Sequence, residues 1–418
     1  MHNQELSQLP ETKSRFFYGY FVVAAAFFIL VLMFGIFNTF GVFFKPLLTE
    51  FGWTRAVTSG AFSLNWIVQG FMAIVMGKVN DRFGPRVVMT FCGSVFGLAY
   101  LLMSQISSLW QLYLFYAVLV GIGLSGTFVP ITSTVARWFV KRRSMMTGIV
   151  LSGIGIGGLI APPVANWLIS IYDWRVSFII LGSAALVVVV LFTQFLRRDP
   201  AQVGQMPYGE IKEETGLKGD TDSFSLREAA STRQFWLAST MLLCFGFCLY
   251  TILVHIVPHT TDLGFSTAHA ANILATIGGV GIIGKVVLGN LGDRIGNRQI
   301  FIIAFILMAA ALLWLLQANE VWMLYLCIAI FGLAYGGIAA SESPIVAGLF
   351  GLRSHGVILG IATISFCIGA AAGPFVSGYI FDLTGSYQTA FLTSAIFATV
   401  GLIASLLLRP TKKLGGRI

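Results

Sequence analysis

Runs of about twenty apolar residues recur along almost the whole chain, separated by short clusters of glycine, proline and charged residues. A helix of about 20 apolar residues crosses the ~30 Å hydrocarbon core of a bilayer. The pattern therefore predicts twelve membrane-spanning helices. The predicted spans are 17–44, 56–77, 87–104, 109–135, 145–171, 176–195, 234–257, 270–291, 299–317, 321–347, 357–381 and 389–408. The first run is too long for a cleaved signal peptide and lacks a cleavage site, so we expect it to remain as a helix.

The longest polar interval, 197–233, divides the chain into two halves of six predicted spans. We therefore expect an N-terminal six-helix bundle at 1–196, a cytoplasmic linker at 197–233 and a C-terminal six-helix bundle at 234–418.

The two halves repeat one another. The pattern Gly-x-x-x-Asp-Arg-x-Gly-x-Arg occurs at 77–86, after the second span, and again at 289–298, after the eighth span, 212 positions later. Parallel repeats of this kind enclose a substrate cavity near the middle of the membrane. The repeat therefore indicates a transporter.

The composition agrees with a membrane protein, because 57% of the residues are hydrophobic and only 10% are charged. Basic residues concentrate in the even-numbered gaps and both tails, which predicts a multi-pass cell-membrane protein with cytoplasmic N- and C-termini. The formal net charge of +9 follows from this topology and from contact with anionic lipid, so nucleic-acid binding is not expected. Five cysteines within apolar spans predict neither a disulfide framework nor a metal site.

The doubled motif resembles the cytoplasmic loop signature of the major facilitator superfamily. The resemblance implies an all-α membrane fold of twelve helices in two pseudo-symmetric six-helix bundles. It also implies a gating role for the acidic and basic residues of both motifs, namely Asp81, Arg82, Arg86, Asp293, Arg294 and Arg298. Segments 17–20, 41–56 and 138–148 further resemble the prokaryotic monocarboxylate transporter and oxalate:formate antiporter branch.

Lys285 is the main candidate for substrate binding. It is a lone basic residue in the eighth span, where an ionisable group is costly and usually faces a cavity or the protein interior. It lies eight residues before Asp293, about 12 Å along a helix, which is too deep for easy snorkelling. The equivalent position of the first half is Ala73, so the scaffold itself does not require the lysine. The resemblance places Lys285 where related transporters bind the substrate carboxylate through an arginine. The alternative is a structural lysine paired with an acid.

Weaker cavity candidates are Tyr335 and Ser365 in the second half and Asn65 and Tyr116 in the first. Each hydroxyl or amide is able to hydrogen-bond a carboxylate, and each is equally able to join neighbouring helices. For proton coupling, the candidates are His255 and Asp262 near the outer end of the seventh span and Glu342 in the tenth.

The resemblance to the oxalate:formate branch implies a second cavity cation in the eleventh span, but this span has no charged residue before Asp382, so only one cation is predicted in the cavity. A single positive charge favours a monoanion, so we expect a secondary active transporter of small monocarboxylates such as lactate, working by proton symport and rocking-bundle alternating access. The alternatives are an oxalate/formate-type carboxylate antiporter, a proton-driven drug exporter and a membrane sensor. We expect no enzyme activity, cofactor or metal, and a monomer whose partners are the anion, the proton and membrane lipid.

Overall fold

The computed structural model describes residues 17–53, 55–209 and 223–409. Among these residues the chain is helical apart from turns and an isolated bridge between Phe139 and Tyr208. Except for Arg409, the basic residues predicted at the cytoplasmic chain ends lie outside the described residues, as do the side chains of Lys45 and Arg55. The chain-end residues are Lys13, Arg15, Lys412, Lys413 and Arg417.

Twelve helices of the described chain are long and apolar enough to cross a membrane, which confirms the predicted number. In chain order they are α1 Gly19–Asn38, α2 Arg55–Phe83, α3 Pro85–Met103, α4 Leu109–Trp138, α5 Arg143–Ile171, α6 Trp174–Thr193, α7 Arg233–Asp262, α8 Thr267–Ile295, α9 Asn297–Leu315, α10 Val321–Phe350, α11 His355–Thr384 and α12 Gln388–Leu407.

Two spans are less regular than the apolar pattern indicates. The first span is interrupted at Thr39, whose hydroxyl donates a 2.6 Å hydrogen bond to the Ile36 carbonyl, and a second helix, Phe40–Phe51, follows. Within α4, residues Tyr113–Val120 form a π-helix. Long π-helical stretches are rare and are often found at functional sites. Neither irregularity has a proline or a charge that would have predicted it.

The second glycine of each repeated motif makes a sharp turn between two spans. Gly84 separates α2 from α3 with φ +83° and ψ 170°, and Gly296 separates α8 from α9 with φ +100° and ψ 145°. This backbone region is open essentially to glycine alone. The motif therefore requires glycine at these two equivalent positions for a conformational reason.

Buried apolar side chains form two large clusters, one built almost entirely from α1–α6 and the other from α7–α12. Large apolar side chains also cover the outside, and Phe71 and Phe375 are 66% and 76% exposed. An apolar exterior of this extent fits a lipid environment. The protein thus has an all-α membrane fold of two pseudo-symmetric six-helix bundles.

The described ends of the predicted linker each contact one half. The Tyr208 backbone exchanges hydrogen bonds with Trp138 and Lys141 beside the α4–α5 loop, and the Phe224 amide donates to the Phe350 carbonyl at the end of α10. Two short helices, Pro200–Val203 and Leu226–Ala230, lie in these ends. Residues 210–222 lie outside the description, so the domain boundaries at 196 and 234 stay a prediction.

Candidate functional site

A central cavity of about 270 Å³ lies between the two halves. Residues of α1, α2, α4 and α5 form one wall, and residues of α7, α8, α10 and α11 form the other. Polar or charged residues on the wall are Asn38, Gln69, Ser125, Thr127, Tyr250, Lys285, Tyr335, Glu342 and Thr363. Lys285 is the one Lys or Arg among the described wall residues. This cavity is the candidate binding site.

Lys285 lies on the cavity wall and is 2% exposed. Its Nζ donates a 3.2 Å hydrogen bond to the Leu151 carbonyl of α5, across the interface between the halves. The same Nζ lies 4.9 Å from the centroid of the Tyr335 ring, a cation–π distance. Within the described part of the chain, no salt bridge involves Lys285. The amine is therefore held by neutral groups, which leaves its charge for an anionic ligand.

Glu342 is an acidic residue of the cavity wall, on α10, and it is 4% exposed. The Thr363 hydroxyl of α11 lies 3.5 Å from its Oε1, at the limit of a hydrogen bond, and donates a shorter 2.8 Å bond to the Leu359 carbonyl. No salt bridge to Glu342 is formed by the residues that the structure covers. One buried base and one buried acid thus share a cavity without pairing.

Of the other two candidates in the second half, only Tyr335 lines the cavity. Its ring lies between Lys285 and Phe245, with the Phe245 centroid 6.1 Å away. Ser365 is half-buried on α11 and is not part of the wall, although its neighbours Thr363 and Phe366 are.

Asn65 and Tyr116 lie behind the cavity wall. The Asn65 amide is fully buried and donates to the Tyr116 carbonyl at 2.8 Å, inside the π-helix of α4. Gln69, which does line the cavity, donates a 2.5 Å hydrogen bond to the Asn65 side-chain oxygen. The buried Tyr116 ring stacks on Phe40 at 4.2 Å. In this conformation both residues join α2 and α4 and do not reach the cavity.

The candidates for proton coupling are widely separated. Only Glu342 lines the central cavity; His255 does not, and its two ring nitrogens lie 3.4 Å from the Tyr387 hydroxyl and 3.0 Å from the Pro374 carbonyl. Asp262 is exposed and lines a separate cavity of about 160 Å³ with His259 and Tyr387.

The aspartates of the repeated motifs cross between the halves, at the end of the molecule that we call the motif end. Asp81 accepts hydrogen bonds from the Gly356 and Val357 amides, and Asp293 accepts them from the Ser144 and Met145 amides. The four amides open α11 and α5, where the helix dipole favours a negative charge. Gly356 lies 212 positions after Ser144, as Asp293 does after Asp81, so the contacts obey the sequence repeat.

The motif arginines do not pair with these aspartates. Arg86 donates to the Gln194 side chain at the end of α6, and Arg298 donates to the Ser405 and Leu406 carbonyls at the end of α12. These bonds stay within one half, and they are again equivalent by the repeat. Arg82 lies over the Phe83 ring at 5.1 Å, and Arg294 is exposed.

The sequence profile of the Major Facilitator Superfamily matches residues 26–291 and 260–417. The chain belongs to this superfamily. Its fold and its relatives are those of major facilitator transporters, which are not enzymes, so the expectation of a non-enzymatic membrane transporter is confirmed.

Curated relatives of this major facilitator protein include transporters for organic acids. Rat monocarboxylate transporter 13 is 28% identical over 399 residues, covering 92% of this chain and 87% of its own length. Human monocarboxylate transporter 11 is 28% identical over 393 residues, with coverages of 90% and 80%. A probable sulfoacetate transporter, SauU, of Cupriavidus necator is 28% identical over 388 residues, with coverages of 87% and 88%. The chain is therefore a monocarboxylate-transporter-like member of the superfamily.

Solved structures share the fold at low sequence identity. Human MFSD10, described as an organic anion transporter, aligns with a TM-score of 0.74 at 17% identity, covering 94% of this chain and 99% of that one. The FucP transporter in the outward conformation aligns with a TM-score of 0.71 at 15% identity, with coverages of 93% and 98%.

The structure of this superfamily member also shows partners that the sequence analysis did not single out. Arg137 of α4 lies 3.8 Å from Asp81 and donates to the Leu352 carbonyl of the opposite half. Its equivalent in the second half is Leu349, so the comparison that singled out Lys285 would also have found Arg137. The Leu151 carbonyl that holds Lys285 carries no side-chain signal, because the bond is made by the backbone.

Proposed function

We propose that this protein carries small monocarboxylates such as lactate across the cell membrane together with a proton, by rocking-bundle alternating access. The observation that carries the proposal is Lys285, a buried amine without an acidic partner among the described residues, on the wall of a cavity between two halves. A buried cation of this kind marks an anion path.

The cavity charge supports a cargo with one negative group. Lys285 is the one Lys or Arg among the described residues of the wall, and Glu342 is acidic. A dianion would leave a net negative charge in a poorly solvated site, which is costly. The names of the monocarboxylate transporter relatives support the same class, and sulfoacetate, with two anionic groups, fits the single cation less well.

Charge balance between Lys285 and Glu342 couples the movement of the anion to that of the proton. With Lys285 protonated and Glu342 ionised, the empty cavity is neutral. Binding of a monoanion alone makes it negative, and protonation of Glu342 alone makes it positive. Binding of both restores neutrality, so the empty carrier and the fully loaded carrier are the two forms with least charge to move through the membrane.

The contacts between the halves at the motif end are the ones that form and break as the carrier alternates between its conformations. The positive-inside rule assigns this end to the cytoplasm, because the loops there carry most of the described basic residues. The bonds of Asp81 and Asp293 to helices of the opposite half close this side, and the Lys285–Leu151 bond joins the halves deeper in the membrane. A substrate carboxylate competes with the Leu151 carbonyl for Nζ, so loading loosens one of the contacts that hold this conformation.

Transport by purified protein in liposomes tests this function. We expect lactate to accumulate when a pH gradient alone is imposed, and we expect uptake to be insensitive to membrane potential because the loaded step is neutral. Counterflow without any net uptake under the pH gradient would indicate the antiporter instead. Lactate binding without flux would indicate a sensor, and export of apolar compounds without carboxylate competition would indicate a drug exporter.

A further inference from the structure

A continuous series of aromatic side chains follows the cavity wall from Lys285 to the opposite half. Each ring lies within aromatic contact range of the next, at 6.1, 5.4, 6.1, 5.5 and 5.8 Å between centroids. All of its members line the cavity, and we call them the ring series. In order from Lys285 they are Tyr335, Phe245, Phe366, Tyr250, Trp66 and Phe37.

The three Ser and Thr hydroxyls of the wall are already bonded within the helices that carry them. Ser125 donates to the Ile122 carbonyl, Thr127 to the Leu124 carbonyl and Thr363 to the Leu359 carbonyl, at 2.5–2.8 Å. Besides Lys285, Glu342 and a few polar side chains, the wall therefore presents mainly apolar side chains, among them the extended π surface of the ring series. A small hydroxy acid such as lactate has little to fill that surface.

The cavity size also favours a ligand larger than lactate. A water molecule needs only about 10–15 Å³ of cavity space, and the cavity measures about 270 Å³. A three-carbon acid bound at Lys285 would leave most of this space to water against aromatic rings. A ligand that covers the rings removes that apolar surface from water, which favours binding.

We propose that the preferred cargo is a monocarboxylate with an aromatic body, such as an arylacetate, whose carboxylate binds Lys285 while its ring packs along the ring series. This inference rests on the proposed function, because it specifies the anion that the same cavity carries. Aromatic pairs gain attraction beyond the area that they bury, so a planar ring is favoured over a saturated one.

Calorimetric binding to the purified protein in detergent tests the cargo with four probes. We expect phenylacetate to bind about tenfold or more tightly than lactate, and more tightly than cyclohexylacetate, which has a saturated ring. Phenylacetamide, which lacks the charge, should bind weakest of the ring compounds. Lactate binding as tightly as phenylacetate, or cyclohexylacetate matching it, overturns the aromatic preference and leaves the proposed carboxylate transport intact. Absence of binding and uptake for all three acids removes the proposed function and this inference together.

A matched pair of variants on α7 separates the ring series from general packing. Phe245 and Phe247 are each 2% exposed, but Phe245 lines the cavity while Phe247 stacks on Phe397 at 3.9 Å. We expect Phe245→Leu to lower the phenylacetate-to-lactate affinity ratio severalfold and Phe247→Leu to leave that ratio unchanged. The ratio is measured within each variant, so a loss of folded protein cancels. An unchanged ratio in Phe245→Leu, or equal falls in both variants, contradicts the proposal.

Discussion

Lys285 and Glu342 are two ionisable side chains that share the central cavity without forming a salt bridge. Removing one charge from such a site leaves the other uncompensated in a poorly solvated environment. Substitution of Lys285 and substitution of Glu342 should therefore affect different steps of transport. Lys285 acts on anion binding, and Glu342 acts on the proton that travels with the anion.

Glu342→Gln keeps the size of the side chain and removes its ability to bind a proton. We expect lactate uptake driven by a pH gradient to fall about tenfold or more, while lactate–lactate counterflow persists, because exchange needs no net proton movement. Uptake and counterflow are measured with the same liposomes. Asp262→Asn is the control, since Asp262 lies on a separate cavity. Loss of gradient-driven uptake in Asp262→Asn, with Glu342→Gln unaffected, would transfer the proton role to the far rim.

Single residues were predicted best where the sequence repeat is broken. In the sequence repeat, Lys285 is equivalent to Ala73 and Glu342 is equivalent to Pro130. Both residues stand out from the sequence alone, and both line the cavity. Asn65 and Tyr116 carry polar groups in a span, but the sequence does not say which face of the helix they occupy. The structure places them behind the wall, and the cavity role assigned to them stays a prediction.

At the scale of elements, the π-helix of α4 accepts a hydrogen bond from α2. A π-turn displaces backbone carbonyls from regular α-helical pairing, and the Asn65 amide donates to one of them, the Tyr116 carbonyl, at 2.8 Å. A buried carbonyl that loses its donor destabilises the folded state.

Asn65→Ala should therefore lower stability by about 1–3 kcal/mol, measured as a lower unfolding temperature of the purified protein. Asn80→Ala is the matched control, because Asn80 is also buried on α2 and contacts α4, but through the Ser133 hydroxyl at 3.0 Å and outside the π-helix. We expect the smaller loss for Asn80→Ala. A larger loss for Asn80→Ala would show that the π-helix does not depend on Asn65.

The positions of the spans followed from apolar run length, but their ends and internal geometry did not. The helix of α7 continues through Pro258 to Asp262, beyond the predicted end at 257, because an apolar run marks the membrane-spanning part of a helix and not the helix end. The interruption at Thr39, whose hydroxyl bonds the Ile36 carbonyl of its own helix, and the π-helix at Tyr113–Val120 are local features that a single apolar run does not encode.

At the scale of the whole molecule, two equivalent sets of contacts join the halves at the motif end. Each set places a motif aspartate against the start of a helix in the opposite half. Such a contact is worth about 0.3–1 kcal/mol, and up to ~2 kcal/mol when partly buried. Contacts of this size hold a conformation and still break within a transport cycle.

Asp293→Asn should shift the population toward the conformation open at the motif end by about fivefold, since 1 kcal/mol changes an equilibrium by about that factor. Double electron–electron resonance measures the distance between spin labels at Val140 and Arg353, which lie on opposite halves. We expect a larger fraction of long distances between these labels in the variant. Arg82→Gln is the control within the same motif pattern, because Arg82 packs on Phe83. Equal shifts in both variants would contradict a specific role for the aspartate–helix contact.

The arrangement of two halves could be predicted because one half repeats the other at a fixed offset, and the same offset later matched the contacts of the motif aspartates. Contacts that have no repeat partner, such as the bond between Arg137 and the Leu352 carbonyl, were not predicted. The cavity wall was only partly predicted, because its aromatic residues look like ordinary apolar residues of a span until the two halves are brought together.

Lactate uptake by liposomes containing Lys285→Met, compared with wild type and with Lys78→Met at an exposed position of α2, tests the central role of Lys285 most directly. Methionine keeps much of the length of the lysine side chain and removes its charge. We expect the Lys285 variant to lose lactate binding and pH-driven uptake by about a hundredfold, as the loss of a buried charged partner implies, while Lys78→Met transports normally. Undiminished uptake by correctly folded Lys285→Met protein would contradict the account.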